Sequence, residues 1–196
     1  MRLGVPKEKD GEETRVSIVP ISISKLNKLG FEVIIEKGAG EKSGYADSEY
    51  EDKGGKIGDL EKVMESELIV SIDVPDFKMM KNGQMLACVA NPFRNLKKTK
   101  KIIGAGITLL SLDVIPRRLS KGQSMDVNSS QDNLSGYRAA LMGSLHVSKM
   151  VPMMMTAAGT VRPAKFVIQG AAVAGLQAIA TAKRLGAVIQ AIDVRL

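Results

Sequence analysis

The sequence predicts an α/β protein in which helices cover a mostly parallel sheet. Short apolar runs rich in Val and Ile alternate with segments of helical length, and glycines separate the two. The closing segment repeats this alternation most clearly. With 196 residues, 44% of them hydrophobic and 25% charged, the chain is long enough to bury a core. We therefore expect a globular protein of one or two domains.

The N-terminal region of the chain alternates strands with helices. Its apolar runs predict strands over 2–6, 31–36, 68–72, 85–90 and 107–112, and its periodic segments predict helices over 20–29, 47–53, 59–65, 76–82 and 92–102. We interpret the glycine-rich segment 37–44 as a surface loop, because no helix with free N–H groups follows it directly. Together these elements predict a flavodoxin-like or Rossmann-like N-terminal domain over 1–125.

A long helix opens the C-terminal region of the chain. It is predicted over 128–150, and several apolar residues lie near one of its faces: Leu134, Tyr137, Leu141, Leu145 and Met150. A loop over 152–163 follows. We assign 126–163 as a connecting helix and loop, and 164–196 as the start of a second, Rossmann-type domain.

The segment from 164 to 193 has the outline of a dinucleotide-binding unit: strand, tight turn, helix and parallel strand. Gly170 and Gly175 occupy the first and third glycine positions of the turn, and Ala172 occupies the second. The backbone N–H groups of Val173, Ala174 and Gly175 would face a pyrophosphate at the helix N-terminus. Asp193 closes the second strand, where a carboxylate can accept hydrogen bonds from an adenosine ribose.

A nucleotide domain of this kind needs about five or six parallel strands, and 164–196 supplies two. We therefore expect a truncated domain, a cofactor site that is begun but not finished, and little or no activity for these 196 residues alone.

Composition argues against several other functions. A single Cys and a single His supply no metal-ligand cluster, and Cys88 lies in an apolar run typical of a buried thiol in a reducing compartment. The net charge of +7 raises the question of nucleic acid, but the Lys97–Lys101 cluster lacks interleaved aromatics, so we interpret it as a solvated helix face. We therefore do not expect nucleic-acid binding. No apolar run is long enough for a membrane span, so we expect no direct membrane insertion either.

Several stretches together resemble the alanine dehydrogenase and nicotinamide nucleotide transhydrogenase family, and within it the NAD-binding alpha subunit of the proton-translocating transhydrogenase. The similarity extends through the whole chain and over about the first half of a typical family member. It rests on segments 2–8, 13–16, 31–40, 123–126, 129–138, 155–160, 173–187 and 193–195.

The resemblance implies a two-domain protein whose cleft binds NAD(H) and passes a hydride to NADP on a partner subunit. Membrane-spanning subunits would couple this transfer to proton movement. It further implies a homodimer in the cytoplasm, held at the inner membrane through its partners, although the sequence by itself leaves the oligomeric state open. Because hydride transfer needs positioning rather than a protein acid or base, we expect no catalytic side chain, and we interpret His146 as a packed or surface helix residue.

The resemblance also extends to Arg195, which we expect to bind the cofactor. It places nicotinamide contacts on Gln123, Asp126 and Ser129. An arginine after the loop proline belongs to the same set. The loop is one residue longer than usual, so Arg117 and Arg118 are both candidates, and we choose Arg117. Asp126 and Ser129 also fit a purely structural role as a cap of the long helix.

Two alternatives stay open. The first is an NAD-dependent amino-acid dehydrogenase similar to alanine dehydrogenase, in which the resemblance would place a lysine within 71–73 and a histidine near Asn91. This chain has neither, and its Arg15 fits both branches. The second is a non-catalytic remnant that keeps the first domain, which Ala172 and the early end of the chain would favour.

Overall fold

The computed structural model describes residues 1–9, 11 and 13–194. The chain divides into two compact units, Met1–Met125 and Asp126–Leu196, and each is described by itself.

The first unit is built on a six-stranded parallel sheet in the order β3-β2-β1-β4-β5-β6. The chain runs outward in one direction from β1, returns, and runs outward in the other, so the switch point lies between β1 and β4. This is the Rossmann strand order, which decides between the two predicted topologies. The strands are β1 (Arg2–Val5), β2 (Glu32–Glu36), β3 (Lys56–Gly58), β4 (Leu68–Val70), β5 (Met85–Cys88) and β6 (Thr108–Ser111).

Helices of the first unit begin and end at residues suited to those positions. Pro20 opens the first helix, where its missing N–H costs no hydrogen bond, and Gly30 just after that helix has a φ of +86°. Asp59 caps the third by accepting from the Lys62 N–H at 2.8 Å. The helices are α1 (Pro20–Lys28), α2 (Asp47–Asp52), α3 (Leu60–Met64), α4 (Leu96–Gly104) and α5 (Ser120–Gln123), with 3-10 turns at Glu41–Ser43, Phe77–Met79 and Leu112–Val114.

Two hydrophobic clusters cover the sheet. Strand β4 contributes Leu68 and Val70 to one cluster and Ile69 to the other, so the clusters lie on opposite faces. Fully buried aliphatic side chains dominate both, as expected for a parallel sheet with two covered faces. Cys88 is among them, which confirms the expected buried thiol, and burial raises its pKa to about 12.

The structure corrects two predictions in this unit and adds a strand that was not predicted. The helix expected over 76–82 is only the 3-10 turn Phe77–Met79, and the next turn contains Gly83 at a φ of +88°. The helix expected from 92 begins at Leu96, because Asn91 adopts a φ of +47° and accepts the Asn95 N–H at 2.9 Å in a separate turn. Strand β3 was not predicted, since three residues give no readable alternation.

The second unit contains one strand-helix-strand element and one hairpin. Strands β9 and β10 are parallel, with Lys165 opposite Val188 and Gln169 opposite Ile192. The segment predicted as a loop over 152–163 instead forms an antiparallel hairpin, β7 paired with β8. The elements are α6 (Val127–His146), β7 (Met154–Thr156), β8 (Gly159–Val161), β9 (Lys165–Gln169), α7 (Val173–Arg184) and β10 (Val188–Ile192).

Small residues, not the apolar face noted in the sequence, join α6 to α7. Gly136 and Ala140 are buried, and a Cβ at Gly136 would overlap the carbonyl oxygen of Ala174. Leu145, from the apolar face, is 83% exposed, and Leu134 and Tyr137 are exposed as well. The physical reason is that helices with small residues at their contact approach more closely than bulky side chains would permit. Within the described residues, no helix is long and apolar enough to cross a membrane.

Candidate nucleotide site and switch-point crevice

The turn between β9 and α7 owes its shape to two glycines. Gly170 follows β9 with a φ of +95°, a conformation that favours glycine, and its N–H donates to the Ile192 carbonyl oxygen at 2.7 Å. A Cβ at Gly175 would overlap the carbonyl oxygen of Gly170. Glycine is therefore required at both positions for steric reasons, as the fingerprint predicts.

Ala172 occupies the middle position without strain. It is the N-cap residue of α7, its backbone is extended with a φ of −81°, and its side chain is exposed. The methyl group is thus accommodated by the turn itself. Because the methyl group is exposed, it could contact only a ligand that binds at the turn.

The N-terminus of α7 presents free backbone donors. The Leu176 N–H is the first to be donated inside the helix, to the Ala172 carbonyl oxygen at 2.8 Å. The N–H groups of Val173, Ala174 and Gly175 come before it and have no intrahelical acceptor. Together with the helix dipole they form a site suited to an anion such as a phosphate.

Asp193 lies beside the same turn. Its Oδ2 accepts the Ala171 N–H at 2.6 Å, so the carboxylate tethers the end of β10 to the start of the turn. The sequence suggested a ligand-binding role for Asp193 but gave no sign of this tether. Arg195, also predicted to contact the cofactor, lies outside the described residues.

Asp126 and Ser129 form the cap of α6. Asp126 Oδ1 accepts the Ser129 N–H at 2.9 Å, and its Oδ2 accepts the Ser129 hydroxyl at 2.6 Å. Both residues are half-buried, and Ser130 Oγ also donates to the Asp126 carbonyl oxygen at 2.9 Å. The structural role anticipated for this pair is therefore present, and a contact with a nicotinamide stays a prediction.

Arg117 and Gln123 belong to the compact loop that closes the first unit. Gly122 is buried in this loop, where a Cβ would overlap the Pro116 carbonyl oxygen, so the short helix α5 folds back on the segment that carries Arg117. Both side chains are exposed. The division between the units falls between Gln123 and Asp126, so the assembly of these residues into one site stays a prediction.

One residue that supports the nucleotide turn was missed at the sequence level. Gly136 on α6 lets that helix approach the backbone of Ala174, one of the residues whose N–H group is free. The available signal was the recurrence of small residues at Gly136, Ala140 and Gly143, which marks a closely packed helix face.

The first unit has a separate crevice of about 350 Å³ at the carboxyl ends of its strands. Its lining includes residues that follow β1, β4 and β5, which places it at the switch point where open α/β sheets bind ligands. The Glu8 carboxylate links the segment after β1 to the segment after β4. Its two oxygens accept hydrogen bonds from the N–H groups of Ile72 at 2.6 Å and Asp73 at 3.2 Å. Burial raises the pKa of the Glu8 carboxyl, against the opposing effect of these two hydrogen bonds.

This crevice bears on the dehydrogenase alternative. Asp73 and Asn91 line it in the region where that alternative would need a lysine and a histidine. The guanidinium of Arg15 is engaged by the Glu13 carboxylate through two contacts, Nε at 2.9 Å and a terminal nitrogen at 2.6 Å. This pairing lowers the pKa of Glu13 to about 2.

Comparison with known proteins gives consistent matches along the chain. The family model "Alanine dehydrogenase/PNT, N-terminal domain" matches residues 4–135, and "Alanine dehydrogenase/PNT, C-terminal domain" matches residues 139–196. The chain is 40% identical to an NAD(P) transhydrogenase alpha-subunit protein of Rhodospirillum rubrum, over all of this chain and 53% of the relative. It is 25% identical to the alanine dehydrogenase of Mycobacterium tuberculosis, over all of this chain and 54% of that protein.

Solved structures give the same ranking. A transhydrogenase from Sinorhizobium meliloti superposes with a TM-score of 0.95 at 41% identity, over all of this chain and 59% of the other. An L-alanine dehydrogenase superposes with a TM-score of 0.85 at 26% identity, over all of this chain and 55% of the other. The chain thus spans about half the length of the curated relatives from Rhodospirillum and Mycobacterium.

Proposed function

The chain belongs to the alanine dehydrogenase/PNT family, and from that premise we propose that it is the NAD(H)-binding part of a transhydrogenase alpha subunit. In this proposal it holds NAD(H) while a hydride passes between NAD(H) and NADP(H) on a partner subunit. The alpha-subunit relatives are more similar to it than the alanine dehydrogenases, which favours this function over the dehydrogenase alternative.

One observation carries the proposal: the turn from Gly170 to Gly175 leaves three N–H groups free at the start of α7 and has no room for a side chain at Gly175. A pyrophosphate is the group that such a turn accommodates in dinucleotide-binding folds. The hydride chemistry belongs to the nicotinamide when NAD(H) is bound. The protein's own contribution is to bind and orient the cofactor.

Asp193 supports a preference for NAD(H) over NADP(H). One carboxylate oxygen is tethered to the Ala171 N–H, which fixes the group at the end of β10. A carboxylate there accepts hydrogen bonds from the ribose hydroxyls of NAD and repels the extra 2′-phosphate of NADP. We therefore assign Asp193 the role of discriminating between the two cofactors.

The nicotinamide end of the cofactor is assigned to four residues by family resemblance: Arg117, Gln123, Asp126 and Ser129. In the proposal Arg117 and Gln123 supply exposed hydrogen-bond donors, and Ser129 supplies a hydroxyl held in place by Asp126. Arg195 is proposed as a further cofactor-binding residue by family resemblance, with no part of the cofactor assigned to it. None of these groups acts as an acid or base, because a hydride passes directly between two nicotinamide rings once they are held face to face.

The decisive experiment is a fluorescence titration of the chain with NADH and, separately, with NADPH. We expect NADH to bind, NADPH to bind at least about tenfold more weakly, and Asp193→Asn to reduce that difference. Gly175→Ala should weaken NADH binding by about tenfold or more, since its Cβ displaces the pyrophosphate turn. Gly104→Ala is the matched control, because no atom lies within 4 Å of a Cβ at that position.

Failure of both the unmodified chain and the chain extended to the length of its relatives to bind NADH would overturn the proposal and would favour the non-catalytic remnant. Equal binding by Gly175→Ala would show that the turn is not the site. Alanine-dependent reduction of NAD would instead support the amino-acid dehydrogenase. The crevice does not favour that function, because Asp73 and Asn91 line the region where it would need a lysine and a histidine.

We further propose that the chain works as a homodimer with an NADP-binding subunit and membrane-spanning subunits, on the cytoplasmic side of the inner membrane. The existence of other subunits is supported by the names of the relatives, since each is called an alpha subunit. Hydride transfer from NADH to an NADP analogue tests the partnership, measured after the chain, extended to the length of its relatives, is mixed with an NADP-binding transhydrogenase subunit. Sedimentation equilibrium tests the dimer.

A further inference from the structure

The loop that carries Arg117 also contains a serine with a distinctive charge pattern before it. Ser120 follows two arginines, Arg117 and Arg118, which come three and two residues before it, and the apolar Leu119 lies between. No other serine or threonine of the sequence has an arginine at both of these positions. Protein kinases that act on basic segments select substrates by such a pattern, because guanidinium groups pair with carboxylates of the kinase groove.

The structure leaves this segment accessible. Residues 116–121 are all exposed, and Leu119 is 60% exposed although it is apolar. Its backbone hydrogen bonds are local: the Leu119 N–H donates to the Pro116 carbonyl oxygen at 3.1 Å, and the Gly122 N–H donates to the Leu119 carbonyl oxygen at 2.8 Å. A segment with exposed side chains and local hydrogen bonds opens at low cost, so an enzyme can bind it in an extended form.

The positive charge of the loop is not neutralised by neighbouring acids. The segment 114–125 contains Arg117, Arg118 and Lys121 and no Asp or Glu. Among the residues that the structure describes, none of these three cations takes part in an ion pair. Both guanidinium groups are therefore available to a carboxylate of an enzyme and, after modification, to a phosphate on the same loop.

We propose that Ser120 is a phosphorylation site for a serine/threonine kinase that selects arginine three and two residues before its target. The Ser120 hydroxyl oxygen attacks the γ-phosphorus of ATP, and the bond from that phosphorus to the oxygen bridging it to the β-phosphate breaks. The serine proton passes to a base of the kinase. The products are phosphoserine and ADP.

The phosphate acts on the proposed cofactor site through the arginines. A phosphoserine carries about −1.5 to −2 charges at neutral pH and offers three strong acceptor oxygens. Since Arg117 and Arg118 lie within three residues of Ser120, their guanidinium groups pair with it. Arg117 is then withdrawn from the nicotinamide end, and the added negative charge repels the anionic cofactor. This regulatory step rests on the proposed function, whereas the modification of Ser120 does not.

The modification is tested by incubating the unmodified chain with ATP and cAMP-dependent protein kinase, followed by mass spectrometry of its peptides. We expect phosphate on Ser120, and Ser120→Ala should remove it. Arg118→Lys should slow its incorporation about tenfold, because an ammonium cannot make the two parallel hydrogen bonds of a guanidinium. Ser124→Ala is the matched control, since it removes an exposed serine of the same loop that lacks the two arginines.

The pairing of phosphate and arginine is measured without any nucleotide. Trypsin cleaves after arginine, and a guanidinium held by a phosphate is a poor substrate for it. The phosphorylated chain should therefore be cleaved after Arg117 and Arg118 about fivefold more slowly than the unmodified chain. Removal of the phosphate by a phosphatase should restore the rate.

The effect on the cofactor is measured by NADH titration of the chain extended to the length of its relatives, before and after phosphorylation. We expect phosphorylation to weaken NADH binding about tenfold. Ser120→Ala should bind NADH as the unmodified chain does, and treatment with the kinase should leave its binding unchanged.

Separate outcomes contradict the two parts of the proposal. No phosphate on Ser120, or equal rates of incorporation in Arg118→Lys and the unmodified chain, would overturn the modification site. Phosphate on Ser120 with unchanged NADH binding would overturn the regulatory step. If the extended chain binds no NADH before phosphorylation, the proposed function fails, and mass spectrometry and trypsin cleavage still decide whether Ser120 is modified and captures the arginines.

Discussion

The six-stranded sheet of the first unit and the strand-helix-strand element of the second are both parallel α/β arrangements, but different residues hold them together. In the first unit, large aliphatic side chains such as Ile69 and Leu86 fill both faces of the sheet. In the second, the buried contacts between α6 and α7 come from glycine and alanine. The first unit gains stability from buried apolar area, and the second uses close backbone approach to shape a turn with free N–H groups.

The largest expected effect comes from opening a cavity in the first unit. Leu86 is fully buried on β5, and Leu86→Ala should lower the free energy of unfolding by about 2–5 kcal/mol. Urea denaturation followed by circular dichroism measures the change. Leu145→Ala removes the same atoms from a side chain that is mostly exposed in the second unit, and it should cost under about 0.5 kcal/mol. Similar losses in the two variants would contradict the contrast between the units.

In the second unit, adding a methyl group at Gly136 should lower the free energy of unfolding, whereas truncating the exposed Leu145 should hardly change it. Gly136→Ala places a Cβ against the Ala174 carbonyl oxygen, and we expect a loss of about 1–3 kcal/mol as α6 and α7 move apart. NADH binding should weaken with it, because the Ala174 N–H belongs to the proposed pyrophosphate site. Hydrogen exchange of α6 and α7 and an NADH titration provide the two measurements. Unchanged exchange protection would mean that the helices tolerate the methyl group.

Low pH should lower the stability of the first unit in particular, because that unit contains the ion pair of Glu13 and Arg15. Arg15 lowers the pKa of Glu13 from its ordinary 4.5 to about 2, so the pair stabilises the fold above pH 4.5 and loses that effect as the pH falls towards 2. Because the Arg15 side chain is half exposed, we expect Glu13→Gln to cost only about 1 kcal/mol at neutral pH. The difference from the unmodified chain should vanish near pH 2 in urea titrations.

The control for this prediction is Glu51→Gln, which removes an exposed carboxylate from α2. It should change the stability by under about 0.5 kcal/mol. A Glu13→Gln penalty that stays constant from neutral pH to pH 2 would contradict an origin in the carboxylate charge.

The sequence predicted most strands of the first unit because its apolar runs are long enough to show their pattern. It missed β3, whose three residues carry no alternation, and it started α4 too early because nothing in the sequence signals the positive φ of Asn91. The hairpin of β7 and β8 was also missed, since every one of its residues is exposed and it carries no apolar face.

The candidate site shows the same division between local and distant information. The conformations of Gly170 and Gly175 follow from a turn of six residues, so the sequence pattern is enough to predict them. The support that Gly136 gives to Ala174 depends on two helices far apart in the chain, and spacing on one helix does not reveal its neighbour. The apolar residues near one face of α6 were a poor guide to its contacts for the same reason. Periodicity identifies an apolar face of a helix but does not show which element packs against it.

The smallest expected effect is that of Val167→Thr in the second unit, and the same chemical change in the core of the first unit provides the comparison. Val167 lies on the open face of β9 and is 56% exposed, so Val167→Thr should change the stability by under about 0.5 kcal/mol, because both residues are β-branched and suit a strand. Val33→Thr places the same hydroxyl in the core on β2, where an unpaired polar group costs about 1–3 kcal/mol. Urea denaturation of the two variants measures the contrast. If Val167→Thr costs as much as Val33→Thr, the open face of β9 is covered in solution, and the second unit is more fully packed than its exposed side chains indicate.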